Sequence, residues 1–344
     1  MTRTAVLICP GRGTYNKPEL GYLYRNHADK AALLEGFDAQ RRAAGQEEVT
    51  ALDGAGRFSV AKYSRGDIAS PLIYACAMAD AQSLAKDIEV VAVTGNSMGW
   101  YIALAAAGAL SAKDGLEVVN TMGTLMQERL IGGQLVYPFM GPDWQDDPAR
   151  RAELLALAAE IGAREGHELA LSISLGGLLV LGGNEAGLAA FEAAVPVLEQ
   201  RFPLRLGNHA AFHTALQAPV AEAGRKRLGP EMFRQPKLPL IDGRGQTWWP
   251  GATDREALWD YTLGHQVVAP YDFTRAVQNA AFEFAPDLFI VTGPSTTLGG
   301  AVAQSLVQAR WQGLAGKADF KARQAEDPLL IAMGDPEQRA RVTG

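Results

Sequence analysis

The chain has 344 residues, 48% hydrophobic and 20% charged, the balance of a globular protein with a substantial core. Its formal charge of −6, from 32 basic and 38 acidic side chains with no long basic block, argues against nucleic acid or an anionic membrane as a partner. Two cysteines, Cys9 and Cys76, each within an apolar stretch, give no disulfide framework and fit buried free thiols in a reducing cytoplasm.

"TAVLIC" (4–9) reads as a buried strand closed by the Pro/Gly turn "PGRG". Its five unbroken apolar residues are too few for a secretory leader. Residues 68–85 carry apolar side chains at helical spacing, and "IEVVAVTG" (88–95) is a β-branched strand that runs straight into a helix over 98–109. The apolar run Tyr101–Leu110 is about half of the ~20 residues a membrane span needs, so a cytoplasmic protein is expected. Ser111 followed by Asp114 starts a helix over 112–130, with Leu116, Val119, Met122, Met126 and Leu130 on one face.

The middle of the chain reads as strand (133–141), helix (147–164), a strand pair (168–174 and 177–183), helix (185–200) and strand (202–207). That βαββαβ order is a ferredoxin-like unit. Beyond it, "LPLID", helices over 254–263 and 271–281, and the strand 288–293 resume the α/β alternation, while the polar tail after 316 shows only the apolar patch "PLLIAMG". The expected fold is α/β, a parallel-sheet core over residues 1–130 and 208–344 interrupted by a ferredoxin-like subdomain over 131–207.

"TGNSMGW" sets Ser97 in the spacing G-x-S-x-G, between a strand and a helix. A strand-to-helix turn of this kind presents the serine Oγ above the sheet and aims the next N–H, that of Met98, at a developing oxyanion. In a chain with 37 glycines the spacing alone arises by chance, and it is the strand–turn–helix setting that gives it weight. A serine nucleophile needs a base, and the histidines are His27, His167, His209, His213 and His265. His209 and His213 lie four apart, which raises a zinc alternative. However, Ala210 stands where the zincin pattern needs glutamate, and no cysteine cluster or third histidine is near, so no metal site is expected.

In order along some 300 residues, "LICPGRGTY", "TGNSMGWYIALAAAGALSAKDGLEVVNTMGTLMQE", "AAFHTALQAP", "QVVAPYDFT" and "VTGPSTTLGG" resemble segments of the malonyl-CoA:acyl carrier protein transacylases and the acyltransferase domains of polyketide synthases. That family has an α/β-hydrolase-like core with a ferredoxin-like insert. The resemblance implies Ser97 as acyl-enzyme nucleophile, His213 as base, and the Gln266 backbone carbonyl as the group that orients it. It places the oxyanion against the N–H groups of Met98 and Arg12. The implied substrates are coenzyme A thioesters and a phosphopantetheinyl acyl carrier protein, with no bound cofactor.

The departures bear on the acyl group. Malonyl-loading members carry an arginine 25 residues after the serine, where this chain has Met122, and a histidine before the serine, where it has Asn96. Their "H-A-F-H" is "AAFH" here, opening on Ala210. Together these substitutions imply an acyl group without a free carboxylate, acetyl or another short to medium chain, held near Asn96, Met122 and Ala210. The Arg12 side chain is open between a solvated loop position and a charge at the mouth of the site. A thioesterase of the same fold and a non-catalytic docking homologue are the alternatives to acyl transfer. Arg225, Lys226 and Arg227 form a basic cluster that reads either as a carrier contact or as ordinary surface.

Overall fold

The computed structural model describes residues 2–344. Its strands are β1 (Arg3–Cys9), β2 (Ile88–Gly95), β3 (Gly133–Pro138), β4 (Leu169–Leu175), β5 (Leu178–Gly183) and β6 (Leu204–Arg205). They continue as β7 (Leu240–Ile241), β8 (Thr247–Trp248), β9 (Tyr271–Asp272), β10 (Leu288–Val291) and β11 (Leu330–Ala332). Two sheets result, one ordered β11-β10-β1-β2-β7-β8 and the other β6-β3-β5-β4-β9.

In the larger sheet every neighbouring pair is parallel except the β7–β8 hairpin at one edge. The central strand β1 is buried from Ala5 to Cys9, as the continuous apolar run "AVLIC" requires of a strand covered on both faces. The helices Gly66–Ala81, Gly99–Ala106 and Ala112–Arg129 pack together beside this sheet. Both cysteines are buried and free, and burial pushes the Cys9 thiol up to about 12.

The smaller sheet has the expected ferredoxin-like order, with the pairs among β3–β6 all antiparallel and with helices at Pro148–Gly162 and Glu185–Ala194. It gains a fifth strand that the sequence pattern does not show. β9, read above as the start of a helix, pairs parallel to β4 through Ile173↔Tyr271 and Ser174↔Asp272, and its helix begins only at Phe273. The helix expected over 185–200 stops at Ala194, two residues before Pro196, where the ring of proline disfavours the helical conformation of its predecessor. The helix expected over 98–109 stops at Ala106, with Gly108 in the left-handed region just beyond.

The C-terminal tail returns to the core. β11 extends the larger sheet beside β10, and Arg339 reaches a buried cluster around Asp80. The Asp80 carboxylate accepts from Tyr22 Oη at 2.9 Å and the Gly293 N–H at 2.6 Å, and it also bonds His27 Nε2 at 2.8 Å and Arg339 Nη1. Among the described residues no helix is long and apolar enough to cross a membrane.

Candidate active site

Ser97 sits at the sharp turn between β2 and the helix Gly99–Ala106, with φ at 56°, a left-handed conformation uncommon for a serine. The two flanking glycines are steric requirements. A Cβ on Gly95 would overlap the Gly99 carbonyl, and one on Gly99 would overlap the Cys9 carbonyl at the end of β1. The "PGRG" loop lies against the same turn, because a Cβ on Gly11 would stand 2.8 Å from the Asn96 carbonyl oxygen. The loop backbone at Arg12 is thereby brought to the serine turn. No acceptor among the described residues takes the backbone N–H of Met98 or of Arg12, the two donors expected to face an oxyanion.

His213 is brought to Ser97 across 116 residues of sequence, with 2.7 Å between Ser97 Oγ and His213 Nε2. Its other ring nitrogen, Nδ1, lies 2.6 Å from the Gln266 carbonyl oxygen. A carbonyl only accepts, so Nδ1 carries the proton of the neutral ring and Nε2 is left to accept from the Ser97 hydroxyl. His213 is buried, and burial lowers its pKa to about 4, opposed in part by the bond to Gln266. At neutral pH the ring is uncharged and able to take a proton. Like Ser97 it has a positive φ, 55°.

Gln266 does more than lend a carbonyl. Its side-chain Nε2 donates to the Ser97 carbonyl at 3.1 Å, and its Oε1 accepts from Tyr101 Oη at 2.9 Å. One residue therefore holds both halves of the serine–histidine pair. It follows a single π-helical turn, Tyr261–His265, a local widening common beside functional sites. Tyr271, the first residue of β9, packs its ring 5.4 Å from that of His213 and donates its hydroxyl to the Gly95 carbonyl.

Beside Ser97 is a cavity of about 30 Å³, with Met98, Val119, Met122, Met126, Phe212 and Val267 as its apolar lining; beyond the Ser97, His213, Gln266 and Tyr101 group, Arg12 and Ser70 are its polar neighbours. Met122 lines it while fully buried, and its Sδ would stand 2.7 Å from a Cβ on Gly224 of the neighbouring helix, so it serves the core as well. Asn96 faces a different space, a cleft of about 460 Å³ between the two sheets' domains that also meets Arg12, Trp144 and Lys317. Ala210 is fully buried and lines neither space, so of the three positions expected near an acyl group only Met122 lines the cavity beside Ser97.

Arg12 is not a solvated loop residue. Its Nη2 donates to the carbonyls of Ser64 at 2.6 Å and Asn208 at 2.9 Å, and the guanidinium lies 5.4 Å from the Phe212 ring centroid. Burial lowers its pKa to about 10, against the opposing charge of Asp67, so it stays protonated at neutral pH. His209 is engaged elsewhere, with Nδ1 2.8 Å from Gln134 Oε1. Burial first, and Arg12 second, lower its pKa to about 3. In the basic cluster, Arg225 is bound to Asp260 and Lys226 to Glu222. Tyr101, Ser70 and Tyr271 were not singled out from the sequence: Tyr101 and Tyr271 lie inside the motif segments "TGNSMGWYIAL" and "QVVAPYDFT", which could have pointed to them, whereas Ser70 stands in a helix whose pattern reads only as core.

No family model matches the chain. The malonyl CoA-acyl carrier protein transacylase of Bacillus subtilis is 28% identical over 212 residues, 60% of this chain and 62% of that protein. A polyketide synthase–nonribosomal peptide synthetase of Phaeosphaeria nodorum is 30% identical over 274 residues, 75% of this chain and 6% of that protein. The chain thus spans less than two thirds of the length of these curated relatives. Among solved structures, the malonyl-CoA:acyl carrier protein transacylase from Xanthomonas oryzae matches with a TM-score of 0.74 at 21% identity, over 100% of both chains. A malonyl-transacylase in complex with a type II polyketide synthase acyl-carrier protein gives 0.70 at 20% identity, covering 89% of this chain and 93% of that one. In sequence the chain is similar to malonyl-CoA:acyl carrier protein transacylases and to polyketide synthases, and in fold it matches the solved transacylase structures.

Proposed function

We propose that the protein is an acyltransferase that moves a short acyl group, one without a free carboxylate, between coenzyme A and an acyl carrier protein. The observation that carries this reading is the 2.7 Å contact between Ser97 Oγ and a neutral, buried His213 whose other nitrogen is tied to Gln266. In the first half-reaction Ser97 Oγ attacks the thioester carbonyl while His213 Nε2 takes the hydroxyl proton. The tetrahedral oxyanion faces the N–H groups of Met98 and Arg12, and losing one such donor typically costs ~10²–10³ in rate. Collapse breaks the C–S bond, the coenzyme A sulfur receives the proton from His213, and an ester on Ser97 remains. In the second half-reaction the carrier's pantetheine thiol attacks that ester, with His213 again relaying the proton. This chemistry uses no metal and no resident cofactor.

The lining supports the choice of acyl group. Met98, Val119, Met122, Met126 and Val267 offer a carboxylate no donor, and the cation that lines the same cavity, Arg12, already gives both hydrogens of Nη2 to the Ser64 and Asn208 carbonyls, so it has no bidentate fork left for one. Intact-protein mass after brief mixing with acetyl-, butyryl- and malonyl-CoA tests the reading. An acetyl or butyryl adduct that is absent in Ser97→Ala and is discharged onto a holo carrier protein is the expected result. An adduct with malonyl-CoA alone overturns the substrate class. Rapid release of free acid without a carrier makes the protein a thioesterase, and no adduct with any thioester leaves a docking homologue.

A further inference from the structure

Among the described residues, two that line the cavity beside Ser97 each carry a buried polar atom without a hydrogen-bond partner, Arg12 Nε and Ser70 Oγ. Ser70 stands on the helix Gly66–Ala81 with its residue 1% exposed, packed toward Gly123 of the facing helix. Leaving a buried donor unmade costs about 1–3 kcal/mol, so two in one small cavity mark a place where a ligand atom completes the bonding.

The bonding of Arg12 says what kind of atom. Both hydrogens of Nη2 are engaged, one by each of the Ser64 and Asn208 carbonyls. Either bidentate fork of a guanidinium, Nη1 with Nη2 or Nε with Nη2, needs a hydrogen of Nη2. The paired geometry that grips a carboxylate is therefore already spent, while Asp67 offsets the charge from farther away. What Arg12 still offers is the hydrogens of Nε and Nη1, which point to opposite sides of the guanidinium and form no fork; with the Ser70 hydroxyl these single donors suit a neutral oxygen rather than a carboxylate.

Building on the acyl-enzyme reading above, we propose that the acyl group on Ser97 bears one neutral oxygen, a 3-oxo or 3-hydroxy group, read by Ser70 Oγ and Arg12 Nε. The cavity admits only a short chain, so that oxygen lies close to the ester carbonyl, and we assign it to the carbon β to the ester. Transfer is unchanged in its balance: the C–S bond breaks, the Ser97 ester forms, and the β-oxygen is a spectator that is bound and not consumed. Ser70 and the Arg12 side chain are specificity determinants beside the reacting carbonyl.

The test is the rate of Ser97 acylation at subsaturating thioester, followed by intact mass, for 3-oxobutyryl-, 3-hydroxybutyryl-, butyryl- and malonyl-CoA. The wild-type protein is expected to favour a β-oxygenated chain over butyryl by about 10- to 100-fold, the span of one hydrogen bond to a charged group. Ser70→Ala and Arg12→Met are each expected to shrink that ratio by about 10-fold, with butyryl as the reference inside each variant. Equal rates for 3-oxobutyryl, 3-hydroxybutyryl and butyryl in the wild-type protein overturn the proposal and leave the acyl-enzyme standing. Malonyl as the fastest substrate overturns it in favour of a carboxylate. Failure of every thioester to label Ser97 removes the acyl-enzyme itself, and this proposal with it.

Discussion

Lowering the pH titrates the base of the Ser97–His213 pair, and the burial of the ring says where. With a pKa of about 4, His213 is about 90% neutral at pH ~5, whereas an ordinary histidine near 6.5 is only about 3% neutral there, a roughly 30-fold difference. The initial rate of acyl-enzyme formation, measured by quenched flow and intact mass with thioester well below saturation, is thus expected to stay flat from pH ~8 to ~5 and to halve near 4. The same shift affects stability. Folding depresses this pKa, so the contribution is complete above the unfolded value of 6.5 and is lost as pH falls toward about 4. Lowering the pKa from 6.5 to about 4 corresponds to about 3 kcal/mol, so tryptophan fluorescence at each pH must establish that the assayed protein is folded. An acylation rate that halves near pH 6.5 while the fluorescence stays native would refute the reasoning, because it would mean a hydrated ring.

Gln266→Ala keeps the carbonyl that orients His213 but removes both side-chain bonds, leaving Tyr101 Oη buried without a partner. Acylation is expected to slow by about 10²-fold, from a displaced Ser97, and the midpoint of thermal unfolding to fall. Rates within a factor of two of wild type would show that the clamp is dispensable. Met122→Ala is expected to cost about 2–5 kcal/mol by urea unfolding and to shift acylation toward longer chains, read as a rising ratio of hexanoyl to acetyl rates. Gly99→Ala places a Cβ on the Cys9 carbonyl, so the serine turn is expected to open, with loss of labelling by a serine-directed phosphonate. Asp80→Ala strands the buried Arg339 and His27, and a loss of about 3–5 kcal/mol in urea unfolding is expected.

Local pattern carried the reading as far as neighbours in sequence decide the structure. The strand 88–95 running into a helix was legible because β-branched residues, a glycine pair and an alanine-rich stretch each favour the conformation they adopt. The partners of Ser97 were legible only through motif resemblance, because no periodicity couples positions 116 residues apart. β9 escaped notice because a two-residue strand has no alternation of its own and its partner, β4, lies about 100 residues earlier. The tail after 316 stayed ambiguous for the same reason, since "LIA" becomes a strand only beside β10. The Arg12 side chain depends on carbonyls of Ser64 and Asn208, which backbone sequence does not display. Pro196, by contrast, was visible, and reading it as a stop would have ended the helix at the right place.

Five positions after Gln266, the chain enters the smaller sheet as β9 and leaves it as the helix Phe273–Phe284. The segment that aims the histidine is therefore sewn by backbone hydrogen bonds into the domain on the far side of the cleft. A hinged opening of the two domains would tear that seam and swing His213 away from Ser97 in the same movement. The Ser97–His213 geometry is therefore tied to the spacing of the two sheets, and whatever holds that spacing fixed also holds the pair in register.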